Sequence, residues 1–414
     1  MRLSVLGVTT SDYDILFVGG GLANVLAARA ISLRNPIIRM GIVERHDQLG
    51  VAGSSHTWSF HVSDICKMSE FDRHWLRPYV SKIWNATPGY AVRFPQLRRS
   101  IELSYGSIRS ERFHEVVLTE RFAEFLWNKE VVGLSACEVR LADGAALSAR
   151  LVVDGRGWTA NHGGTWPMGY QKFLGQFIRT DGPHGMKSPV LMDGTVEQDD
   201  GFHFVYVLPF SEDLLLVEDT YYSLSKELRP AVLRQRIRNW LEKEGITAGT
   251  VEGEETGVLP IPLSGRGEPD FLPGEGDSIV SLGLGAGLFH PVTGYSLVHA
   301  VRAAEILAEL IENKGINSWA SIPSSMARYS RREWRKGAFL RRLNNMFFMA
   351  APPQERYKIL EKFYRHEHRV IERFYGNRLS VRDKLAIVSG KPPVAVGPAL
   401  RAFFGWTKEA QFSC

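Results

Sequence analysis

The chain has 414 residues, 44% of them hydrophobic and 23% charged, with a formal net charge of +5. Those values exclude a disordered or low-complexity chain and suggest two or three domains. Its three cysteines, Cys66, Cys137 and Cys414, are far apart and odd in number, which argues against a disulfide framework or a cysteine metal centre and for a reducing cytoplasm. No run of about 18 apolar residues reads as a membrane span. Met1–Asp12 has one arginine and a short apolar patch without an h-region and cleavage site, the pattern of a ragged N-terminus rather than a signal peptide. Charge is uneven: Arg328 to Lys391 holds 17 Lys or Arg against 6 Asp or Glu. The remainder is net acidic, and so local a basic segment implies an anionic partner surface, lipid headgroups or nucleic acid.

In chain order, Asp14–Asn24 reads D-I-L-F-V-G-G-G-L-A-N: a buried strand, a glycine turn and a helix start. Gly19 and Gly21 allow a diphosphate to approach the backbone of Leu22 and Ala23 at the helix N-terminus. Glu44 closes the second strand, where an acid accepts hydrogen bonds from a ribose hydroxyl. Asn24 departs from the fingerprint, standing where a third glycine or alanine is usual. Gly50–Phe60 is a glycine- and serine-rich loop running into aromatics, readable as a flavin-side loop or an ordinary surface loop. Residues 64–89 look helical and then turn-like, and Tyr90–Pro95 is a short strand. Ser107–Phe125 has the apolar spacing of one amphipathic helix; its Arg112 reads equally as a diphosphate contact or a surface arginine. Val131–Glu138 and Ala145–Val153 are strands, the second running out into D-G-R-G at 154–157. Asp154 and Gly155 there meet a nucleotide or pack against the first helix.

From Gly175 the texture becomes strand-rich and aromatic. Gly201–Pro209 places Phe202, Phe204 and Tyr206 on one face, and Leu214–Tyr222 returns as the partner of a hairpin. Leu228–Glu244 is a helix and Leu259–Leu263 an extended strand. Ile279–Leu297 is a second glycine passage, with Gly287, His290, Pro291, Gly294 and Tyr295 leading into a helix that runs to about Leu310. Trp319 to Val394 reads as helical, basic and aromatic throughout.

Eight motifs fall in one order: G-G-G-L-A-N at 19–24, H-T-W-S-F at 56–60, V-R-F-P at 92–95, D-G-R-G at 154–157, F-V-Y at 204–206, E-D-T at 218–220, G-L-F-H-P-V-T-G-Y-S-L at 287–297 and S-G-K-P-P at 389–393. Together they resemble the bacterial lycopene beta-cyclases of carotenoid biosynthesis, flavoproteins of the geranylgeranyl reductase and aromatic hydroxylase type. The resemblance implies an α/β fold (α+β overall): a Rossmann-type FAD-binding domain, an inserted antiparallel-sheet substrate domain and a helical C-terminal region. The boundaries expected are 12–174 and 265–315 for the FAD-binding domain, 175–264 for the substrate sheet and 316–414 for a helical, basic, membrane-facing region. It implies reduced FAD with NAD(P)H as reductant, lycopene and related carotenoids as substrates, and redox-neutral ring closure. It also admits contact with other carotenoid enzymes. One departure stands out: Gly283-Leu284 replaces the Gly-Asp that usually holds the flavin's ribitol, which weighs against plain monooxygenase chemistry.

Ring closure starts with a proton delivered to a terminal double bond, so it needs a protonated acid, a cation-tolerant site and exclusion of water. The resemblance puts the essential acids at Glu218 and Asp219. Neighbours on a strand face opposite ways, and Glu218 shares its face with Leu214 and Leu216, an apolar setting that raises its pKa. Glu218 is therefore the expected donor and Asp219 its support. Phe202, Phe204 and Tyr206 offer π faces or are sheet core; Trp58 and His290 line the flavin side or are structural. A forty-carbon polyene must be drawn from a bilayer, so peripheral attachment at the cytoplasmic face of the cell membrane is expected. Arg331–Met349, with Trp334, Phe339, Leu340, Leu343, Met346, Phe347 and Phe348 among arginines, reads as an interfacial helix or as packing within the C-terminal domain. No recognised nucleic-acid module accompanies the charge.

Overall fold

The computed structural model describes residues 11–49, 56–66, 74–158, 166–390 and 394–404. Gly50 to Ser55 of the first serine-rich loop, and the last three residues of S-G-K-P-P, lie outside them. Ile15–Val18 and Met40–Val43 are buried on both faces, as central strands of a parallel sheet must be. The parallel order is Glu124–Leu126, Met40–Val43, Tyr13–Val18, Ala146–Asp154 and Val280–Ser281. Ala146–Asp154 also pairs antiparallel with Glu138–Leu141, which pairs with Val131–Leu134. Leu22–Arg34 and Leu297–Asn313 pack side by side over this sheet through Val25, Ala28, Ala300, Ala304 and Leu307.

The second sheet has seven strands in the order Ala248–Pro262, Met168–Thr180, Leu214–Ser223, Phe202–Pro209, Val190–Asp193, Tyr90–Phe94, Leu97–Ile101. It is antiparallel except where Val190–Asp193 meets Tyr90–Phe94. It thus begins at Met168 rather than Gly175, and it recruits two strands from the segment before residue 102. Three polar side chains of Met168–Thr180 explain why a strand buried on both faces is tolerated. Gln171 accepts from the Tyr222 hydroxyl (2.9 Å), Lys172 pairs with Asp200 (2.8 Å) and Gln176 donates to Glu254 (3.0 Å). A small third sheet, Thr57–His61, Tyr105–Arg109 and Lys82–Trp84, links the two.

Ser107–Phe125 is not one helix. Tyr105–Arg109 is a strand, Ser110–Glu120 a helix, and Arg121 in the left-handed region (φ 45°) ends it before the strand Glu124–Leu126. From Ile316 onwards the described residues contain helices and turns but no strand. The expected interfacial helix is two, Ile322–Lys336 and Ala338–Met349. Trp334, Leu340, Leu343, Phe347 and Phe348 are buried, the last four in the cluster that backs the second sheet. Their apolar face is therefore spent on packing and does not face outward.

Candidate functional site

At the nucleotide end, the helix Leu22–Arg34 starts at Gly21 with no side-chain cap and no acid in its first turn. Its first N–H groups, on Leu22 and Ala23, carry the helix's positive end, as an anion site requires. Glu44 overhangs the turn, accepting from the Gly20 N–H (2.6 Å) and the His46 N–H (3.0 Å). Gly19 has φ +92°, and a Cβ there would press on the Gly155 carbonyl at 3.3 Å. Asn24 is fully buried; its Nδ2 donates to the carbonyls of Val18 and Gly19 (2.9 Å each). It also lies where a Cβ on Gly155 would go, 2.4 Å away. Asn24 and Gly155 thus clamp the two turns together, and Asp154 holds Arg156 through two bonds of 2.9 and 2.8 Å. An uncapped helix start, a carboxylate beside it and a glycine-only approach fit a dinucleotide diphosphate and ribose.

The second glycine passage abuts this turn: a Cβ on Gly283 would lie 3.3 Å from the Ala23 methyl. Leu284, Gly294 and Tyr295 then line a cavity of about 200 Å³ whose opposite wall is made by Phe204, Tyr206 and Glu218 of the second sheet and Trp58 of the third. Gly287 (φ +70°) packs on Leu272 and Gly294 (φ +69°) on Leu259. His290 is turned the other way. Its Nε2 donates to the Phe374 carbonyl (3.0 Å) and Nδ1 accepts from Thr293 Oγ1 (3.1 Å); burial pushes it down to about 4. The imidazole is neutral and ties the passage to the C-terminal helices, as does Asn344, which donates to the Pro291 carbonyl (2.8 Å). Arg112 is on the exposed side of its helix, bonded to the Pro78 carbonyl (2.9 Å) and to Glu115 (2.7 Å), and is not part of either turn.

Glu218 and Tyr206 are direct cross-strand partners, as are Asp219 and Val205; the two acids therefore face opposite sides of the sheet. Glu218 lines the cavity, and its Oε1 accepts from Thr220 Oγ1 (2.5 Å). Burial pushes its pKa up to about 7; Thr220 opposes the rise and the charge of Asp219 adds to it. Asp219 is fully buried on the far face, with Oδ2 2.8 Å from His203 Nε2. Phe202 stacks behind Phe204 (5.2 Å between centroids) and forms a second layer away from the cavity. Tyr206 is held by Ser59 (2.8 Å) and Tyr105 (3.2 Å), and Tyr105 by Tyr295 (2.7 Å).

Sequence reasoning passed over Glu255. It is buried, accepts from Thr57 Oγ1 (3.0 Å), and burial followed by the charge of Glu218 pushes it well above the usual carboxylate range. Its stretch, V-E-G-E-E-T-G, has the composition of a loop. Nothing local in that stretch marks it as a strand; its place beside Glu218 comes from pairing with Met168–Thr180. Tyr222 and Tyr375 of the cavity wall were likewise not singled out.

The family model described as "Lycopene cyclase protein" matches residues 14–401. The chain is 40% identical to a lycopene beta-cyclase of Pantoea ananas, covering 94% of this chain and 97% of that one. Among solved structures, a geranylgeranyl bacteriochlorophyll reductase-like protein of Thermoplasma acidophilum has TM-score 0.57 at 14% identity, covering 92% and 96% of the two chains. A variant of the halogenase PltM in complex with FAD has TM-score 0.59 at 11% identity, covering 94% and 87%. The structural likenesses establish the fold, and the sequence matches extend over both sheets and the C-terminal helices: the chain belongs to the lycopene cyclase family.

Proposed function

We propose that this protein is a lycopene beta-cyclase, an isomerase that closes beta-ionone rings at the ends of lycopene to give gamma-carotene and then beta-carotene. The observation that carries the reading is Glu218, a buried carboxyl with a pKa near neutrality on the wall of an apolar, aromatic cavity. Thr220 donates to Oε1, which leaves Oε2 to hold the proton. Transfer of that proton to the terminal alkene gives a tertiary cation; attack by the internal alkene closes the ring, and loss of a ring proton balances the first. Phe204, Tyr206 and Trp58 offer π faces to the cation, each worth ~0.5–2 kcal/mol according to desolvation. The tyrosine chain from Tyr206 to Tyr295 satisfies the hydroxyls internally, so the wall presents rings rather than free O–H groups.

FAD is the proposed cofactor, held by the Leu22 and Ala23 N–H groups and Glu44, with Leu284 and the Gly283–Ala286 turn on its cavity side. Bound in reduced form, with NAD(P)H as reductant, it supplies negative charge against a cationic centre in a dry site. For the substrate's route we propose peripheral attachment through two other helices, Val381–Val388 and Val396–Phe403. Val381, Leu385, Val388, Val396 and Leu400 are exposed there beside Arg382 and Arg401. The one acid, Asp383, is buried and paired with Arg373 (2.6 Å), so the outward charge is basic and suits an anionic bilayer. Lys384 lies 5.6 Å from the Phe339 ring and Phe403 6.0 Å from it, which makes the two helices one surface. Vesicle flotation tests this: Leu385→Glu with Leu400→Glu lowers binding to anionic vesicles several-fold, and unchanged binding would sink the assignment.

The whole reading is tested by expressing the protein in lycopene-accumulating bacteria and analysing pigments. Beta-carotene is expected. Saturated or oxygenated carotenoids would replace the reading with a reductase or hydroxylase on the same fold, and unchanged lycopene would remove it.

A further inference from the structure

We infer that Glu255 is a positioning residue for the reaction, a second buried carboxyl set across Gly175 from Glu218, where its O–H donates to the carboxylate that Glu218 becomes on giving up its proton. The inference rests on the cyclisation reading above. The geometry comes from register. Gly175 pairs with Glu218 on one side and with Glu255 on the other, so the two acids share a face with only a glycine between them. A Cβ on Gly175 would lie 3.0 Å from Leu216 Cδ1, 3.2 Å from Glu255 Cγ and 3.5 Å from Glu218 Cβ; the space that this glycine leaves is bounded by both acids and the Leu216 methyl. Gly175 has no positive φ among the described glycines, so backbone conformation does not demand glycine here.

The surroundings decide which acid keeps its proton. Thr57 Oγ1 donates to Glu255 Oε2, leaving Oε1 for the hydrogen. The cation that acts on Glu255 is Arg109, which is already placed over the Phe177 ring (4.1 Å) and ion-paired with Glu111 (3.3 Å). Asp219 adds negative charge from the far face of the sheet. Tyr206, Tyr222 and Tyr295 are held neutral by burial, and His56 lies on the cavity wall. Glu255 therefore stays protonated while Glu218 ionises, and two carboxyls so placed bind one shared hydrogen more strongly than either holds it alone. No bond to hydrogen breaks at Glu255: it donates a hydrogen bond while Glu218 is charged, and the net proton count of the reaction is unchanged.

The test measures cyclisation of vesicle-borne lycopene against pH by the reduced holoenzyme, with bound flavin checked by absorbance. Glu255→Leu lowers kcat by about tenfold or more and moves the alkaline limb to higher pH, because the Glu218 carboxylate has lost its donor. Glu255→Gln, whose amide still donates, keeps most of the rate. Gly175→Ala, which wedges a methyl between the two acids, reproduces the Leu phenotype and serves should Glu255→Leu fail to bind flavin. Loss of rate with an unmoved limb would mean that Glu255 only fills space, and would overturn the inference, as would wild-type behaviour of both variants. Glu218→Gln run alongside separates the two claims: its retaining activity refutes the cyclisation reading, whereas its inactivity beside normal Glu255→Leu and Gly175→Ala refutes this inference alone.

Discussion

Glu218 and Asp219 are consecutive carboxylates on one strand, and the two faces of the sheet make different groups of them. On the cavity face, Glu218 has one local hydroxyl partner and otherwise meets apolar and aromatic wall. On the far face, Asp219 is tied to His203 Nε2, His203 Nδ1 donates to the Glu197 carbonyl (2.7 Å), and the imidazole stacks on Tyr221 at 4.5 Å. The helix Pro230–Lys243 seals this face through Leu233, Ile237 and Trp240. An acid held by a fixed partner stabilises the fold. An acid facing a cavity with its proton uncommitted is able to do chemistry.

The sharpest way to break that contrast is to neutralise each acid in turn. Glu218→Gln keeps size and loses the transferable proton; cyclisation in extracts falls by about a thousandfold, within the range for a lost general acid, while flavin stays bound. Asp219→Asn keeps the chemistry on the other face and shifts the alkaline limb of the rate to lower pH, since the negative charge that helps raise Glu218 is gone. An equal loss from Asp219→Asn would erase the distinction. Asp219→Ala is the converse experiment. It strands His203 in a buried face and costs about 3–4 kcal/mol of stability, measured by urea unfolding. A cost below 1 kcal/mol would mean that the pair is not structural.

The same contrast explains what was legible in the sequence. Strand alternation alone placed Phe204 with Tyr206 on one face of their strand and Glu218 with Leu214 and Leu216 on one face of its own, and the strand–glycine–helix pattern located the first turn, because these are local periodicities; that the two faces meet is a matter of register. Glu255 was illegible because its importance lies in register: only pairing of residues 175 and 255, eighty positions apart, sets it beside Glu218. Tyr90–Phe94 joined the second sheet for the same non-local reason, through Val190–Asp193. For Arg331–Met349 composition left two readings open, an interfacial helix or packing within the C-terminal domain, because which partner takes the apolar face is a tertiary fact. Phe348 fills the space above Gly169, where a Cβ would meet its ring at 2.5 Å, and so the aromatics turn inward.

The proton uncommitted on Glu218 also has a thermodynamic signature. Its folded pKa of about 7 stands above the 4.5 of an unperturbed glutamate, so folding takes up a proton between those pH values. The contribution is most favourable below pH 4.5, is lost as pH rises towards about 7, and then levels off. Glu218→Gln removes that loss. At pH 8 the variant is more stable than the wild type by up to about 3 kcal/mol, with the gain disappearing at pH 4. Denaturant melts at the two pH values check this, and a gain independent of pH would mean that Glu218 is not protonated in the folded state near neutrality.

The smallest expected effect separates two layers within the cavity face itself. Phe204 lines the cavity and Phe202 stacks behind it with no exposed surface, so leucine at each position removes an aromatic face at a different distance from the proposed cation. Phe204→Leu forfeits a direct cation–π contact of about 1 kcal/mol and lowers the rate roughly fivefold, with a stability cost of about 1 kcal/mol from its lost stacking on Phe202 and Tyr222. Phe202→Leu costs about 1 kcal/mol of stability through the lost packing against Phe94 and Phe347 and leaves the rate within a factor of two. The pair of measurements is a difference of differences, rate against melting for each variant. Equal rate losses at both positions would show that the aromatic wall acts through shape, which any bulky residue supplies, and not through the π face turned to the substrate.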